Sequence, residues 1–308
     1  MANVNNTLEY IVENAVNPEG FISECEERYN NKIKKIAMDV AESDKTEIVM
    51  LAGPSSSGKT TTAKKLCQAL FDLGIKSHTV SLDDFYLNNE DSPRFPDGTP
   101  DYETVEALDI PCFEKTMKSL VEKGEALMPE FDFLTGKRKE KYNELVLGEN
   151  DVIIVEGLHA LNPMITEHLP KERLLKIYIS VSSRLYDKKQ NIVLNKRNMR
   201  FIRRMVRDYK FRGNSVEDTF KMWITVRYGE DAYLFPFKEN ADIRINTIHL
   251  YETCVLKDLA VDLLMQVSKD SEFYKESQRL VRSLYRFPKI DSSLVPEDSL
   301  LREFIGKE

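Results

Sequence analysis

Residues 53–60 read Gly-Pro-Ser-Ser-Ser-Gly-Lys-Thr, and this octet restricts the fold more than any other feature of the chain. It has the form GxxxxGK[ST], in which small residues let the backbone close around a phosphate with its N–H groups turned inward. Such a loop works between the end of a buried strand and the start of a helix, whose positive dipole end adds to the site. The flanking sequence supplies both. Glu47 to Ala52 is short and apolar up to Gly53. Lys59 to Leu73 carries Ala63, Leu66, Cys67 and Leu70 at helical spacing, with Gly74 placed to end it. In that setting Lys59 would place a charge on the β- and γ-phosphates of a nucleotide, and the Thr60 hydroxyl would ligate Mg²⁺. The alternative, a glycine-serine turn that merely matches the pattern, does not account for the strand and helix on either side. The motif implies nucleotide binding and leaves the destination of the phosphoryl group open.

Around this loop the chain alternates between the two periodicities. Helices are expected over 20–42, 111–123 and 199–210, and again from Leu256 to Val267. Strands are expected over 76–82, 127–133, 152–155, 174–181 and 242–246. Residues 88–101, with three prolines, a glycine and several acids, read as a loop. The clearest strands are apolar almost throughout, which favours an α/β fold with a doubly wound, mainly parallel sheet and helices on both faces. The expected division is an N-terminal helical extension over 1–45, a nucleotide-binding domain over 46–270 and a C-terminal appendage over 271–308.

Composition narrows the class of partner. A net charge of −7 over 308 residues argues against a nucleic-acid partner, so a phosphate-binding surface should be local. The four cysteines, Cys25, Cys67, Cys112 and Cys254, form no CxxC pair and read as reduced thiols of a cytoplasmic protein. No secretory signal is visible at the N-terminus, and no run approaches 18 consecutive apolar residues, so no membrane partner is expected. Nothing in the sequence decides between a monomer and a homo-oligomer.

Three further groups could carry chemistry. Asp83 and Asp84 follow the strand 76–82, and ligands of an open parallel sheet sit beyond the carboxyl ends of its strands. A carboxylate there could accept a proton from an attacking hydroxyl, although paired aspartates also form ordinary turns. Glu156 ends the strand 152–155 and precedes Gly157, where an acid could hold Mg²⁺ through its water shell or be a solvated strand end. Arg200, Arg203, Arg204 and Arg207 fall at i, i+3, i+4 and i+7 and make one basic face, while Ile202, Met205, Val206 and Tyr209 make an apolar one. Arg212 and Gly213 follow. The basic face is open to three readings: a lid closing over ATP phosphates, a solvated surface, or a nucleic-acid contact.

These pieces, in this order, resemble the uridine kinase and phosphoribulokinase family of P-loop kinases from about residue 46 to 250. Within it they are most similar to uridine kinase-like proteins whose fuller versions carry a threonyl-tRNA synthetase-like N-terminal region, which would precede residue 1. The resemblance implies a P-loop NTPase fold with a lid over about 199–215, ATP and Mg²⁺ as donor and metal, and a small-molecule acceptor, most simply a nucleoside phosphorylated at its 5'-hydroxyl. It implies ATP contacts from Gly53, Ser55, Ser56, Ser57, Gly58, Lys59, Thr60, Thr61 and Arg212, and metal contacts from Thr60 and Glu156. Asp83 is similar to the family's general base, with Lys59, Arg204 and Arg207 beside it in the catalytic set. Asp83, Tyr86, Glu103, Phe131, Phe133 and Arg138 are the implied acceptor-side residues. The chain departs from the family at Phe131, where a tyrosine is usual, at Gly136, where a histidine is usual, at Glu103 in place of an aspartate, and at Asn214 in place of a lid arginine. The first two changes remove groups that read a pyrimidine edge. A kinase for another sugar or sugar phosphate and a non-catalytic ATP-binding module are the alternatives. A GTPase switch is disfavoured, because Asn195-Lys196-Arg197-Asn198 lacks the aspartate of the guanine motif.

Overall fold

The computed structural model describes residues 6–43 and 47–307. The chain begins with α1 (Leu8–Asn14) and α2 (Pro18–Ala41). Helix α2 starts at Asn17, whose side chain accepts from the Gly20 N–H, and Pro18 follows at the first turn, where a missing N–H costs nothing. It buries Tyr29, Ile33, Ile36, Ala37 and Val40 along one stripe. Strand β1 (Ile48–Ala52) is buried at every residue and leads through the phosphate loop into α3 (Lys59–Asp72). After β2 (Ser77–Ser81) come a short 3₁₀ turn over Leu82–Phe85, a long loop, and α4 (Ile110–Lys123). Four short strands follow: β3 (Glu125–Met128), β4 (Phe131–Asp132), β5 (Lys137–Arg138) and β6 (Asn143–Val146). Strand β7 (Val152–Gly157), α5 (Pro163–Thr166), β8 (Leu174–Ser180), β9 (Leu185–Tyr186) and β10 (Ile192–Leu194) precede α6 (Lys196–Arg212) and α7 (Val216–Gly229). The chain then runs through β11 (Ile243–Asn246), α8 (Glu252–Leu264), α9 (Tyr274–Leu284) and α10 (Arg302–Ile305).

The central sheet has the order β11-β8-β1-β7-β2, and every pair in it is parallel. Its register pairs Ala52 with Gly157 and Tyr178, Ser81 with Glu156, and Asn246 with Ser180. The carboxyl ends of all five strands therefore lie along one edge, and the phosphate loop, Asp83 and Glu156 meet there. One face of the sheet packs on α2 and α3 through Val49, Leu51, Ile154, Ile177 and Ile245. The other packs on α4 and α5 through Ile48, Met50, Val80, Ile153 and Val155. A third apolar cluster ties α6, α7, α8 and α9 together. Two-sided burial explains why these strands lack alternation.

Two expectations change. The single strand expected over 127–133 is split between β3 and β4, because Pro129 has no N–H to continue a ladder and the two halves pair with different partners, β6 and β5. The arginine-bearing helix is longer than expected: the Asn195 side chain and Asn198 form a reciprocal cap at its start, and Gly213, at φ +67°, ends it. Among the described residues, no helix is long and apolar enough to cross a membrane.

Candidate active site

The phosphate loop is shaped by local conformation and held from outside. Ser56 has φ +57° and Gly58 has φ +88°, so the backbone reverses tightly into α3, whose first turn leaves its N–H groups without intrahelical partners. The Gly53 Cα faces the Ile179 carbonyl, and a Cβ there would meet that oxygen at 2.6 Å, which explains a glycine at the end of β1. Arg200 Nη1 donates to the Ser55 carbonyl at 3.0 Å, and Arg203 Nη1 to the Ser56 carbonyl at 3.4 Å. Each arginine is itself bound by a carboxylate. Arg200 forks onto Glu230 at 2.5 and 2.6 Å, and Glu230 also accepts the Ser55 N–H at 2.9 Å. Arg203 forks onto Glu252 and donates to the Thr247 carbonyl at 2.8 Å.

This corrects the reading of α6 as basic on one face and packed on the other. Arg200 and Arg203 are 2% and 0% exposed, inside the packed region, whereas Tyr209 of the expected apolar face is 48% exposed. The cause is tertiary: α8 and the turn after α7 bring Glu252 and Glu230 against the helix, and a buried guanidinium is tolerated where it is paired and fully hydrogen-bonded.

Arg204, Arg207 and Arg212 reach a cavity of about 740 Å³ lined by Ser55, Ser56, Gly58, Lys59 and Thr60, with Asp83, Tyr86, Tyr102, Glu103, Phe133 and Glu156 facing them. Arg204 Nη1 donates to Ser55 Oγ at 2.8 Å. Asp208, buried in the same helix, stands 3.1 Å from Arg204 Nε, 3.2 Å from Arg207 Nε and 3.5 Å from Arg212 Nη1, so one carboxylate aims three guanidinium groups. Sequence spacing holds a trace of this, since Asp208 is four residues from both Arg204 and Arg212. The part played by Glu230 has no local sequence signal.

The carboxyl groups of the cavity differ in environment. Burial pushes Glu156 up to about 7 against the pull of Lys59, and its Oε1 accepts from Thr60 Oγ1 at 3.3 Å. Glu103 is likewise pushed up to about 7 by burial, with Arg204 opposing. Asp83 is exposed to solvent at the cavity mouth; desolvation raises its carboxyl while Lys59 and Arg212 lower it. Asp84 points elsewhere and accepts the Phe131 N–H at 3.4 Å.

The aromatic side of the cavity is a connected set. Tyr86 stands 5.4 Å from Tyr102 and 5.9 Å from Phe133 between ring centroids, and Phe131 stands 5.0 Å from Phe133. Phe133 is 60% exposed and borders the cavity, whereas Phe131 is buried behind it. The Tyr86 hydroxyl donates to the Tyr102 carbonyl at 2.9 Å, so its ring rather than its hydroxyl is presented. Arg138 lies outside the cavity: it pairs with Asp109 at 3.0 Å and donates to the Phe85 and Tyr86 carbonyls, bracing the turn that carries Asp83. Gly136 also lies outside, at φ +66°, where a Cβ would collide with Asn89.

A nucleotide with its metal fits these residues. Ser56 Oγ and Ser57 Oγ are buried without a partner among the described residues, and Thr60 and Glu156 place two oxygens at the start of α3. In the absence of metal, carboxyls held near 7 rather than their ordinary 4.5 favour their protonated forms. The stability they contribute is full below pH 4.5 and is lost as pH rises through about 7. The thermal midpoint, measured with a chelator, is therefore expected to fall across that window. Glu156→Gln should raise it near neutral pH by ~1–2 °C, the shift that about 1 kcal/mol gives a chain of this size. Parallel pH profiles for the two proteins would show that Glu156 is not held protonated.

The sequence profile of the "Phosphoribulokinase / Uridine kinase family" matches residues 48–253. A uridine kinase of Borrelia turicatae (strain 91E135) is 31% identical over 201 residues, 65% of this chain and 85% of that one. A uridine kinase of Macrococcus caseolyticus (strain JCSC5402) is 29% identical over 205 residues, 65% of this chain and 88% of that one. Among solved structures, one from Silicibacter sp. TM1040 that carries the description of a fructose transport system kinase matches with a TM-score of 0.50 at 20% identity, over 69% of this chain and 98% of that one. At that identity the likeness speaks to the fold alone.

Proposed function

Because this chain belongs to the phosphoribulokinase / uridine kinase family, and is a phosphotransferase with an alcohol group as acceptor, we propose that it moves the γ-phosphoryl of MgATP to the 5'-hydroxyl of a nucleoside. The observation that carries this reading is the shared cavity: phosphate loop, Lys59 and arginines on one side, Asp83 between, and Glu103 with the Tyr86, Tyr102 and Phe133 rings on the other.

The loop and the first turn of α3 cradle the donor phosphates, and Lys59 neutralises the transferred group. Thr60 and Glu156 would hold Mg²⁺, which would supply positive charge against the donor phosphates. Asp83 takes the proton of the acceptor hydroxyl as that oxygen attacks phosphorus in line and ADP departs. Arg204, Arg207 and Arg212, aimed by Asp208, meet the charge that spreads over the transferring oxygens, with α6 as the lid. Glu103 accepts from sugar hydroxyls, and Phe133 offers a face on which a base can stack. In this reading, residues 46–270 carry the machinery, while 1–45 and 271–308 are additions to it.

The cavity cations come from the phosphate loop and α6. None of the lining residues between 83 and 158 is cationic, which favours a neutral acceptor over one that carries its own phosphate. A neutral sugar is the second reading, favoured by Phe131 and Gly136, neither of which places a polar side chain on the cavity wall. A coupled ADP-release assay with MgATP against nucleosides, sugars and sugar phosphates, with products identified by mass, separates these. Uridine or cytidine phosphorylation is the expected result. Turnover confined to sugars would replace the nucleoside, and silence across the panel with ATP still bound would favour a non-catalytic module.

A further inference from the structure

Residues 298–306, which lie beyond the family-matching region, pack beside the phosphate loop and put one side chain, Glu303, on the cavity wall. Leu300 packs so closely on Gly58 that a Cβ there would meet its side chain at 2.4 Å. Phe304 is fully buried, with the Arg203 guanidinium 5.2 Å from its ring centroid. Asp298 pairs with Lys65 of α3 at 2.6 Å, and Lys210 of α6 donates to the Ile305 carbonyl at 2.6 Å. The segment is thus fastened to both helices that flank the phosphate loop. Between these fastenings Glu303 turns into the cavity. Its Oε2 accepts from the Thr61 hydroxyl at 2.7 Å, and its Oε1 stands 4.0 Å from Arg207 Nη1.

Position decides what this carboxylate does. Thr61 lies in the first turn of α3, beside Thr60, where the helix dipole and free N–H groups favour an anion. Glu303 sets a carboxylate at that place, and it also faces one of the arginines that a triphosphate would use. A phosphate entering there meets a like charge and two groups already engaged.

We propose that Glu303 is a donor-site residue supplied by segment 298–306, a carboxylate that takes up the Thr61 hydroxyl, offsets Arg207 and is displaced when MgATP binds. The inference rests on reading the loop as the donor site. Donor affinity is then set by competition between the carboxylate and the phosphates, and removing the charge should tighten binding.

The test is direct calorimetric binding of a non-hydrolysable MgATP analogue to the wild type and to Glu303→Gln, Glu303→Asp and Lys59→Ala. Glutamine keeps an oxygen for Thr61 and removes the charge alone. It should bind the analogue roughly three- to tenfold more tightly, the scale of one partly exposed ionic contact. Aspartate draws the charge back by one methylene and should fall between. With folding verified by Trp223 fluorescence, unchanged affinity in Glu303→Gln would make the residue a structural strut. Weaker binding would mean that it grips the donor, and either result overturns the proposal. If Glu303→Gln does not fold, the comparison passes to Glu303→Asp, where tighter binding is still required. Lys59→Ala binding as well as wild type would sink the donor-site reading itself. Loss of binding in Lys59→Ala with no Glu303 effect would sink the present proposal alone.

Discussion

Asp83→Asn is expected to cut kcat by ~10²–10⁴-fold while donor binding is retained. Asparagine preserves the shape of the side chain and the turn, in which the Ser81 side chain accepts the Asp83 N–H at 3.3 Å, but it cannot take a proton. Two neighbouring acids are committed elsewhere. Asp84 is turned onto the Phe131 N–H, and Glu156 is engaged by Thr60. Donor binding should survive, because the phosphates are held by the loop and removing a negative charge from the cavity can only help them. Steady-state turnover with the acceptor found in the panel, alongside calorimetric binding of the donor analogue, gives both numbers. Turnover within about threefold of wild type, far below the loss expected for a general base, would take Asp83 out of this role and leave Glu103 as the carboxylate to test.

The elements that could be read from sequence are those whose information is local. The loop over 53–60, the apolar strands beside it and the acids at strand ends each occupy a few adjacent residues, and the parallel register sets those ends side by side. The partners of α6 were not legible. Glu230 and Glu252 lie 30 and 49 residues from the arginines they bind, and Glu303 lies 242 residues from Thr61. A helical wheel shows that Arg200, Arg203, Arg204 and Arg207 share a face. It cannot show that two of them are sealed in the packed region by acids from other elements. Phe131 and Phe133 make the same point on the acceptor side: two residues apart in one strand-like run, they end as a buried ring and an exposed one.

Breaking the buried Arg200–Glu230 pair behind the loop is expected to give a large loss of stability. Glu230→Ala would leave the Arg200 guanidinium, 2% exposed, without its carboxylate, at a cost of ~3–5 kcal/mol in unfolding free energy by urea denaturation. Arg200→Met combined with Glu230→Leu removes both charges and fills the space. It should recover most of that loss, because a buried pair is often no more stabilising than apolar residues of similar size. Donor binding should not recover with it. The Ser55 N–H loses Glu230 and the Ser55 carbonyl loses Arg200 in the double variant as well, so the loop is no longer held in the shape that presents its inner N–H groups. Stability and affinity would then separate: the single variant weak in both, the double variant stable yet poor at binding the analogue. If the double variant regained full affinity, the arginine and its carboxylate would be support for the helix alone, and the geometry of the loop would have to be encoded by Ser56, Gly58 and the start of α3 without them.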